Sequence, residues 1–325
     1  MSRRKKNSNH IIAFILVFLV AVAIFSGFMI IDSFQNQHTD ESNSVASSKT
    51  ITRNGKKYFP RQDITVFMLM GIDQFGPVQA SNSYNNKGEA DVIMLAVFDE
   101  SDKTYDVVLL NRDTMTDIPV IGLGGKKAGS IFAQLALAHT YGSGLEDSCE
   151  NTVEAVSNLM NGLNIDYYMS MNMDAISILN DAVGGVKVNV TDDFSSTDPT
   201  IPKGEVVLSG EQAVVYLQSR YNVGDQKNTS RMERHKEYME NFFNALKEKS
   251  NDIFIADTYE AVSDYIVTDC SLNTVSNLFN RYSDYTFNGT ISPEGESKTG
   301  DTYMEFYLDE DELDKLILDL FYSEK

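Results

Sequence analysis

The sequence has no tryptophan and only two cysteines and six prolines among 325 residues. Cys149 and Cys270 stand far apart in the chain, so they do not form the dense cysteine pattern of a small disulfide-stabilised domain. A disulfide between them is permitted outside the cell, and two buried, unpaired thiols are at least as compatible with the pattern. The chain also lacks a Walker loop and Cys/His metal spacing, so its motifs indicate neither nucleotide binding nor a zinc site.

Positive charge is scarce beyond the N-terminus. Four of the 27 Lys and Arg residues precede a long apolar run, and all 47 Asp and Glu residues follow it, which leaves the part after the run with a formal charge of −24. Such a surface repels nucleic acids, so we expect no nucleic-acid partner. An anionic substrate would need its own basic pocket or a bound cation. The same charge is ordinary for an exposed surface protein and selects no function by itself.

The apolar run covers residues 11–31, in which only Ser26 and Gly27 are not strongly apolar. About 20 such residues span a bilayer as a helix, and the run is longer than the apolar core of a signal peptide. Because the four cations of the 1–10 tail precede it, the positive-inside rule places the N-terminus in the cytoplasm. We therefore predict a single-pass cell-membrane protein with an extracellular bulk, comprising a polar, flexible linker over residues 32–62 and a domain over 63–325.

After residue 63, strand-like and helix-like patterns alternate. Apolar runs predict buried strands over 64–70, 90–97 and 107–110, and period-two alternation predicts a half-buried strand over 186–190. Helices are predicted over residues 126–141, 146–160, 173–183 and 208–220, the last with Ser209 and Gln212 as a capping box. This order indicates an α/β fold, an α+β-like mixed sheet with helices packed on its faces.

Charged residues stand at the ends of three predicted strands. Asp73 follows the first strand, Asp91 begins the second, and Arg112 closes the third. The short turn over 99–103 makes the second and third strands antiparallel neighbours, so Asp91 and Arg112 are expected to lie close together. Taken in isolation, an Arg beside Asp113 is more simply an ion pair that closes a turn.

A second group of cations begins a predicted helix near Ser230. Arg231, Arg234 and His235 are spaced to share one face of its first turns. Cations at a helix N-terminus oppose its dipole, which suggests a bound anion between them and the free N–H groups. A solvated charged face explains the pattern equally well.

These motifs, in this order, resemble those of the LytR-CpsA-Psr family, whose members attach glycopolymers to the bacterial cell wall. The resemblance covers residues from about 63 to at least 243. It is carried by Gly71-Ile72-Asp73, Ala90-Asp91, Arg112-Asp113-Thr114, the 138–142 segment Ala-His-Thr-Tyr-Gly, Ile165 to Tyr168, Val183 to Val186, Leu208 to Ala213, Arg220, Asp225, Arg231 and Arg234.

The resemblance implies a phosphotransferase of Gram-positive cell-wall biogenesis. Such an enzyme moves a glycopolymer, such as teichoic acid or capsule, from a polyprenyl-pyrophosphate carrier onto a hydroxyl of peptidoglycan. By similarity, Asp73 and Asp91 would hold Mg²⁺ on the pyrophosphate, and Arg112 and Asp91 would be catalytic. The carrier lipid needs an apolar tunnel, which the Ile131–Leu137 part of the predicted helix and the sheet could line, although the same residues suit an ordinary core. The residues implied in pyrophosphate binding are Arg112, Arg220, Arg231, Arg234 and His235.

Four positions depart from the family's usual pattern: Glu89 and Gln218 where it has Arg, Gln134 where it has Lys, and His235 where it has Gln. Three of the changes remove positive charge from the expected site. Two alternatives to the transferase therefore stay open. One is a non-catalytic or attenuated surface protein that binds lipid-linked phosphate or wall polymer, and the other is a polyprenyl-pyrophosphate hydrolase.

Overall fold

The computed structural model describes residues 50–324 apart from 54, 84, 123–124, 220–222, 224–233, 235–236, 239–240, 243, 246–251, 271–273, 275–276, 279–280, 283–284 and 301–302. None of the helices in this part of the chain is long and apolar enough to cross a membrane. The predicted membrane span at 11–31 and Ser230, near which a helix is predicted to begin, lie outside the described residues.

Strands and helices alternate along the described chain. The strands are β1 (Ile51–Arg53), β2 (Lys56–Pro60), β3 (Ile64–Ile72), β4 (Ala90–Asp99), β5 (Thr104–Leu110), β6 (Met115–Ile121), β7 (Lys127–Gln134), β8 (Tyr167–Asn172), β9 (Val186–Val190), β10 (Gly204–Leu208), β11 (Ile266–Thr268), β12 (Thr286–Ile291), β13 (Gly295–Thr299), β14 (Met304–Leu308) and β15 (Tyr322–Glu324). The α-helices are α1 (Glu146–Leu159), α2 (Asp174–Ala182), α3 (Gly210–Gln218), α4 (Asp252–Val262) and α5 (Glu310–Phe321), with 3-10 turns at Leu135–Thr140 and Ser263–Tyr265.

A six-stranded mixed sheet in the order β11-β8-β3-β4-β5-β12 forms the centre of the fold. β8 runs parallel to β3 and β12 runs parallel to β5, whereas β11–β8, β3–β4 and β4–β5 are antiparallel. The predicted mixed sheet is thus confirmed. The predicted capping box of α3 is also confirmed, because Ser209 Oγ accepts from the Gln212 backbone N–H while the Gln212 side chain accepts from the Ser209 N–H.

Each central strand divides its side chains between two apolar cores because successive residues point to opposite faces. On β3, Phe67 and Leu69 join one core, whereas Val66, Met68 and Met70 join the other. Residues of α2, α3 and α4 belong to the first core, and residues of α1 and α5 belong to the second. The fold is therefore an α/β/α arrangement in which the sheet is buried on both faces, as its near-continuous apolar strands predict.

A β-bulge interrupts the pairing of β3 with β4 at one end. Gly71 pairs with Val92 and Ile72 pairs with Ala90, so Asp91 is the extra residue between them. A bulge of this kind bends its strand and redirects the side chain of the extra residue. Asp91 consequently leaves the regular ladder at the sheet end where β5 finishes.

The predicted helix over 126–141 is wrong. Residues 127–134 form β7, which pairs antiparallel with β6, and only Leu135–Thr140 forms a short 3-10 turn. Phe132 is 58% exposed, whereas Leu135 and Ala138 are fully buried. The proposed helical lining of a lipid tunnel is therefore not formed by these residues, because their first half is an exposed hairpin.

The N-terminal edge of the described chain is paired with its C-terminal edge. β2 pairs with both β1 and β15, and the Arg61 N–H donates to the Phe321 carbonyl at 2.9 Å. Residues 51–60, which the sequence analysis placed at the end of the flexible linker, therefore belong to the folded part of the chain. The sequence could not predict this pairing, because the partner strand β15 lies at the other end of the chain.

Candidate functional site

Arg112 lies in a tight turn directly after β5. The Asp113 N–H donates to Asn111 Oδ1 at 2.9 Å, and the Thr114 N–H donates to the Asn111 carbonyl at 3.0 Å. An Asn side chain that bonds to its own backbone two residues on is a common way to fix such a turn. The turn therefore sets the direction in which the Arg112 side chain leaves the sheet.

The guanidinium of Arg112 contacts three carboxylates. Nη1 pairs with Asp91, Nη2 pairs with Glu89, and Nε lies 3.5 Å from Asp113 Oδ1. The contact with Asp91 follows from the antiparallel register, because Ile93 pairs with Leu110 and the next positions bring 91 opposite 112. The predicted proximity of Asp91 and Arg112 is confirmed. The turn-closing ion pair with Asp113 is present as well, as the longest of the three contacts.

Asp73 lies at the same end of the sheet, one residue beyond β3. Its backbone N–H donates to the Glu89 carbonyl at 3.0 Å, and its side chain is exposed. The two predicted metal ligands, Asp73 and Asp91, thus flank neighbouring strand ends.

No group of three or more His, Cys, Asp or Glu side chains in the described ranges could hold a metal ion. Two carboxylates that share a cation with substrate phosphates suit Mg²⁺, which seldom binds in all-protein cages. The donor chemistry at Asp73 and Asp91 fits that ion, and the metal site stays a prediction.

A buried polar network fixes the backbone that leads into Glu89 and Asp91. The Asn86 side chain donates to the His139 carbonyl at 2.8 Å and to Ser148 Oγ at 3.0 Å, and its Oδ1 accepts from the Gly88 N–H at 2.7 Å. His139 Nδ1 donates to the Gly88 carbonyl at 2.9 Å. A Cβ at Gly88 would lie 2.8 Å from an Ile72 methyl group, so this segment has little room to move.

Sequence reasoning missed Asn86 and His139 as supports of the site. The available signal was an Asn two residues before a Gly in a polar loop, a spacing typical of side-chain-to-backbone turns. Burial lowers the pKa of His139 to about 4, so the ring is neutral. A carbonyl can only accept, and the proton is therefore on Nδ1.

Gln134, one of the four departures from the family pattern, lies against the site. Its side chain is mostly buried and donates to Asp113 Oδ1 at 2.9 Å and to the Met304 carbonyl at 2.7 Å. The Asp113 carbonyl in turn accepts from the Phe306 N–H at 2.9 Å. Gln134 therefore holds Asp113 in place with a neutral amide and contributes no positive charge.

Arg234 occupies a different environment from Arg112. Its side chain is almost fully buried, with Nη1 2.6 Å from Asp192 and with Nε and Nη2 donating to the carbonyls of Tyr216 and Ser219. The guanidinium also lies 5.6 Å from the ring centre of Phe194. These contacts join α3 to the segment after β9. Of the other predicted phosphate-binding residues, Arg220, Arg231 and His235 lie outside the described residues.

The two cysteines do not form a disulfide. Cys149 and Cys270 are both free and buried, and they belong to the two different apolar cores. Cys149 donates to Ser170 Oγ at 3.3 Å, and burial raises its pKa to about 12. A thiol with so little thiolate is unreactive at neutral pH. The chemistry of Cys149 therefore suggests no catalytic role for it.

The fold and site define a class of α/β proteins with a charged cluster at the strand ends of a mixed central sheet. The model of the LytR_cpsA_psr family matches residues 28–320. The chain therefore belongs to the LytR_cpsA_psr family, and the resemblance found in the sequence is confirmed.

Curated relatives agree with this assignment, and a solved structure shares the fold. The chain is 28% identical over 279 residues to a protein named polyisoprenyl-teichoic acid–peptidoglycan teichoic acid transferase TagU from Enterococcus faecalis, covering 86% of this chain and 84% of the relative. The Bacillus subtilis protein of the same name is 24% identical, with 87% and 84% covered. A structure described as TagT bound to LI-WTA matches with a TM-score of 0.59 at 21% identity, covering 84% of this chain and 95% of that one.

Proposed function

We propose that this protein is a membrane-anchored phosphotransferase that moves a glycopolymer from a polyprenyl-pyrophosphate carrier onto peptidoglycan. The observation that carries the proposal is the convergence of Arg112, Asp91 and Asp73 at one end of the central sheet. Family membership and the two relatives named as teichoic acid transferases support the same reaction class. In this account residues 11–31 anchor the chain, with the N-terminus in the cytoplasm and the bulk of the chain outside the cell.

In the proposed reaction, a peptidoglycan hydroxyl attacks the phosphorus next to the polymer. A new P–O bond forms as the P–O bond to the polyprenyl phosphate breaks, polyprenyl phosphate leaves as an anion, and the proton of the hydroxyl passes to solvent. Phosphoryl transfer depends mainly on positioning and on neutralising the charge of the phosphate oxygens. Arg112 suits this task because its planar, permanently charged guanidinium can donate two parallel hydrogen bonds to a phosphate.

The acidic residues have supporting roles in this proposal. Asp91 orients Arg112 through their ion pair, and Asp73 and Asp91 would together hold Mg²⁺. That ion would supply positive charge to the pyrophosphate and offset the negative charge of the surrounding protein. The guanidinium of Arg234 binds Asp192 and two backbone carbonyls, so those N–H groups would have to be released before Arg234 could bind the pyrophosphate.

One observation favours an attenuated or purely binding protein as the second candidate. All three sides of the Arg112 guanidinium already face carboxylates, so the cation is less available to a phosphate. Hydrolysis of the carrier pyrophosphate would use the same residues with water in place of the sugar hydroxyl. Only the product distinguishes it from transfer.

The proposal is tested with the full-length protein in detergent, a lipid-linked wall polymer and peptidoglycan. We expect a phosphodiester-linked product, detected by mass spectrometry of digested peptidoglycan. Asp73→Asn and Asp91→Asn should each reduce metal-dependent binding of the polyprenyl pyrophosphate by on the order of tenfold, because each removes a charged Mg²⁺ ligand.

Asp102→Asn is the matched control for these variants. Asp102 is exposed in the turn at the opposite end of β4 and β5, so binding should not change. Release of free polymer phosphate without linked product would support the hydrolase. Binding without either product would support the binding protein, and unchanged binding in both Asp variants would refute the metal site.

A further inference from the structure

Arg112 is engaged on every side by carboxylates of its own chain. Asp91, Glu89 and Asp113 face Nη1, Nη2 and Nε of the guanidinium, respectively. An arginine binds phosphate with the same planar N–H groups that it uses for carboxylates. A phosphate that takes two parallel N–H groups of Arg112 therefore competes with these carboxylates for the guanidinium.

Two of the three carboxylates are more constrained than the third, Asp113 by a further side-chain bond and Asp91 by its backbone position. Asp113 Oδ1 also accepts from the buried Gln134 side chain at 2.9 Å, and the Asp113 carbonyl accepts from Phe306. Asp91 is the bulge residue of β4 and is fixed between two paired positions of the sheet. Moving the Asp113 carboxylate away would break its bond with Gln134, and the Asp91 side chain is short and begins at a bulge of the sheet.

Glu89 is the carboxylate best placed to move. Its side chain is 40% exposed, compared with 30% for Asp91 and 29% for Asp113, and it has one more rotatable bond than an aspartate. Its backbone is fixed, because the Glu89 carbonyl accepts from Asp73 and the preceding Gly88 carbonyl accepts from His139. A rotation of the side chain alone would release Nη2 of Arg112 without moving the sheet.

We propose that Glu89 determines ligand specificity by competing with the ligand's phosphate for Arg112. The site would then discriminate against a free diphosphate anion, which must both displace Glu89 and lie beside its negative charge. A diphosphate that arrives with a divalent cation would be accepted, because the cation offsets the charge of the displaced carboxylate. The inference rests on the proposed function, since it concerns the same Arg112 site, and it names the form of the ligand that the site accepts.

The test measures binding of inorganic pyrophosphate to the full-length protein in detergent by calorimetry, first without metal and then with excess Mg²⁺. Glu89→Gln keeps the size of the side chain and removes its charge. We expect this variant to bind metal-free pyrophosphate on the order of tenfold more tightly than the wild type, because the like charge beside the ligand is gone. With excess Mg²⁺ the difference should shrink to less than about threefold. Glu89→Ala should behave as Glu89→Gln does, and thermal unfolding checks that each variant is folded.

Two controls separate competition at Arg112 from a general loss of negative charge. Glu154→Gln removes an equivalent partly exposed carboxylate that is paired with Lys127, and it should leave pyrophosphate affinity unchanged. In an Arg112→Gln background, Glu89→Gln should tighten binding much less, because the cation for which Glu89 competes is absent and only the like charge beside the ligand is removed.

Each other outcome is decisive. If wild type and Glu89→Gln bind pyrophosphate equally, this inference is wrong while the proposed function stands. The inference is also wrong if Glu154→Gln tightens binding as much, or if the full gain persists without Arg112. If neither wild type nor variant binds pyrophosphate with Mg²⁺ present, the proposed function and this inference are both contradicted.

Discussion

At the scale of single residues, Arg112 and Asp91 could be placed together from sequence because antiparallel strands joined by a short turn fix which residues face each other. The pairing of Arg112 with Glu89 could not be predicted, because Glu89 lies in the loop before β4 and the backbone of that loop is held by bonds to distant residues. His139 and Asn86 supply those bonds. Sequence patterns report which residues are apolar or charged, but they do not report buried polar networks.

His139 gives the first residue-scale prediction. Its folded pKa is about 4 because burial disfavours the charged ring, whereas an unfolded histidine titrates near about 6.5. Between these values the unfolded chain binds one more proton than the folded one, so the free energy of unfolding falls as the pH is lowered from about 6.5 to about 4. The expected loss from this group is about 3 kcal/mol in total.

Urea denaturation of wild type and His139→Gln at several pH values across that window measures this effect. Glutamine does not titrate, so the variant should be less stable at pH 7 and should lose less stability on acidification. Carboxylates that titrate in both proteins cancel in the comparison. Parallel pH dependences in the two proteins would show that His139 is not held neutral by the fold.

At the scale of secondary-structure elements, the hairpin β6–β7 shows where local patterns fail. Apolar residues at 131, 135 and 138 matched a helical face, but residues 127–134 pair with β6. The sequence held one warning, Gly129, because glycine is a poor residue for a helix interior. In the structure its φ is +142°, which is not helical. In contrast, α1, α2 and α3 were predicted within a few residues, since their apolar faces belong to the two buried cores.

The contact between α2 and α3 yields an element-scale prediction. A Cβ at Gly210 would lie 2.3 Å from Ser177 Oγ and 2.4 Å from the Ser177 carbonyl oxygen. Gly210→Ala therefore forces the two helices apart and should reduce the free energy of unfolding by about 1–3 kcal/mol. Chemical denaturation measures the loss.

Gly289→Ala in β12 is the matched control, because no atom lies within 4 Å of the added methyl group. Its stability should equal or slightly exceed that of the wild type. Equal stability of the Gly210 and Gly289 variants would mean that α2 and α3 do not approach each other as closely as described.

At the scale of the whole molecule, charge of opposite sign lies on the two sides of the predicted membrane anchor. A formal charge of −24 lies beyond the apolar run, and four cations lie before it. The family match begins at residue 28 and ends at 320, and pairing of β2 with β15 brings both ends of the folded part together. Sequence alone predicted the mixed sheet but not this closure, because pairing between distant segments has no local signature.

Topology is the whole-molecule prediction. Because the cations precede residues 11–31, a reporter fused to the C-terminus should be accessible from outside intact cells. Protease protection or an externally added label measures this. A C-terminal reporter that is detected only after the cells are permeabilised would contradict the extracellular localisation. The proposed access to peptidoglycan would then be wrong as well.

The central claim is that Arg112 stabilises charge on the phosphate oxygens during transfer. The most direct measurement is the transfer rate per folded molecule for Arg112→Ala and Arg112→Lys, together with thermal unfolding and binding of the lipid-linked donor. We expect both variants to stay folded and to bind the donor while transfer falls by a factor on the order of 10²–10³. Arg112→Lys should recover little of the transfer rate, because the point charge of an ammonium group does not reproduce the planar set of N–H donors of a guanidinium. A variant that unfolds at a lower temperature yet transfers polymer at the wild-type rate would show that Arg112 only closes a turn, and it would contradict the account.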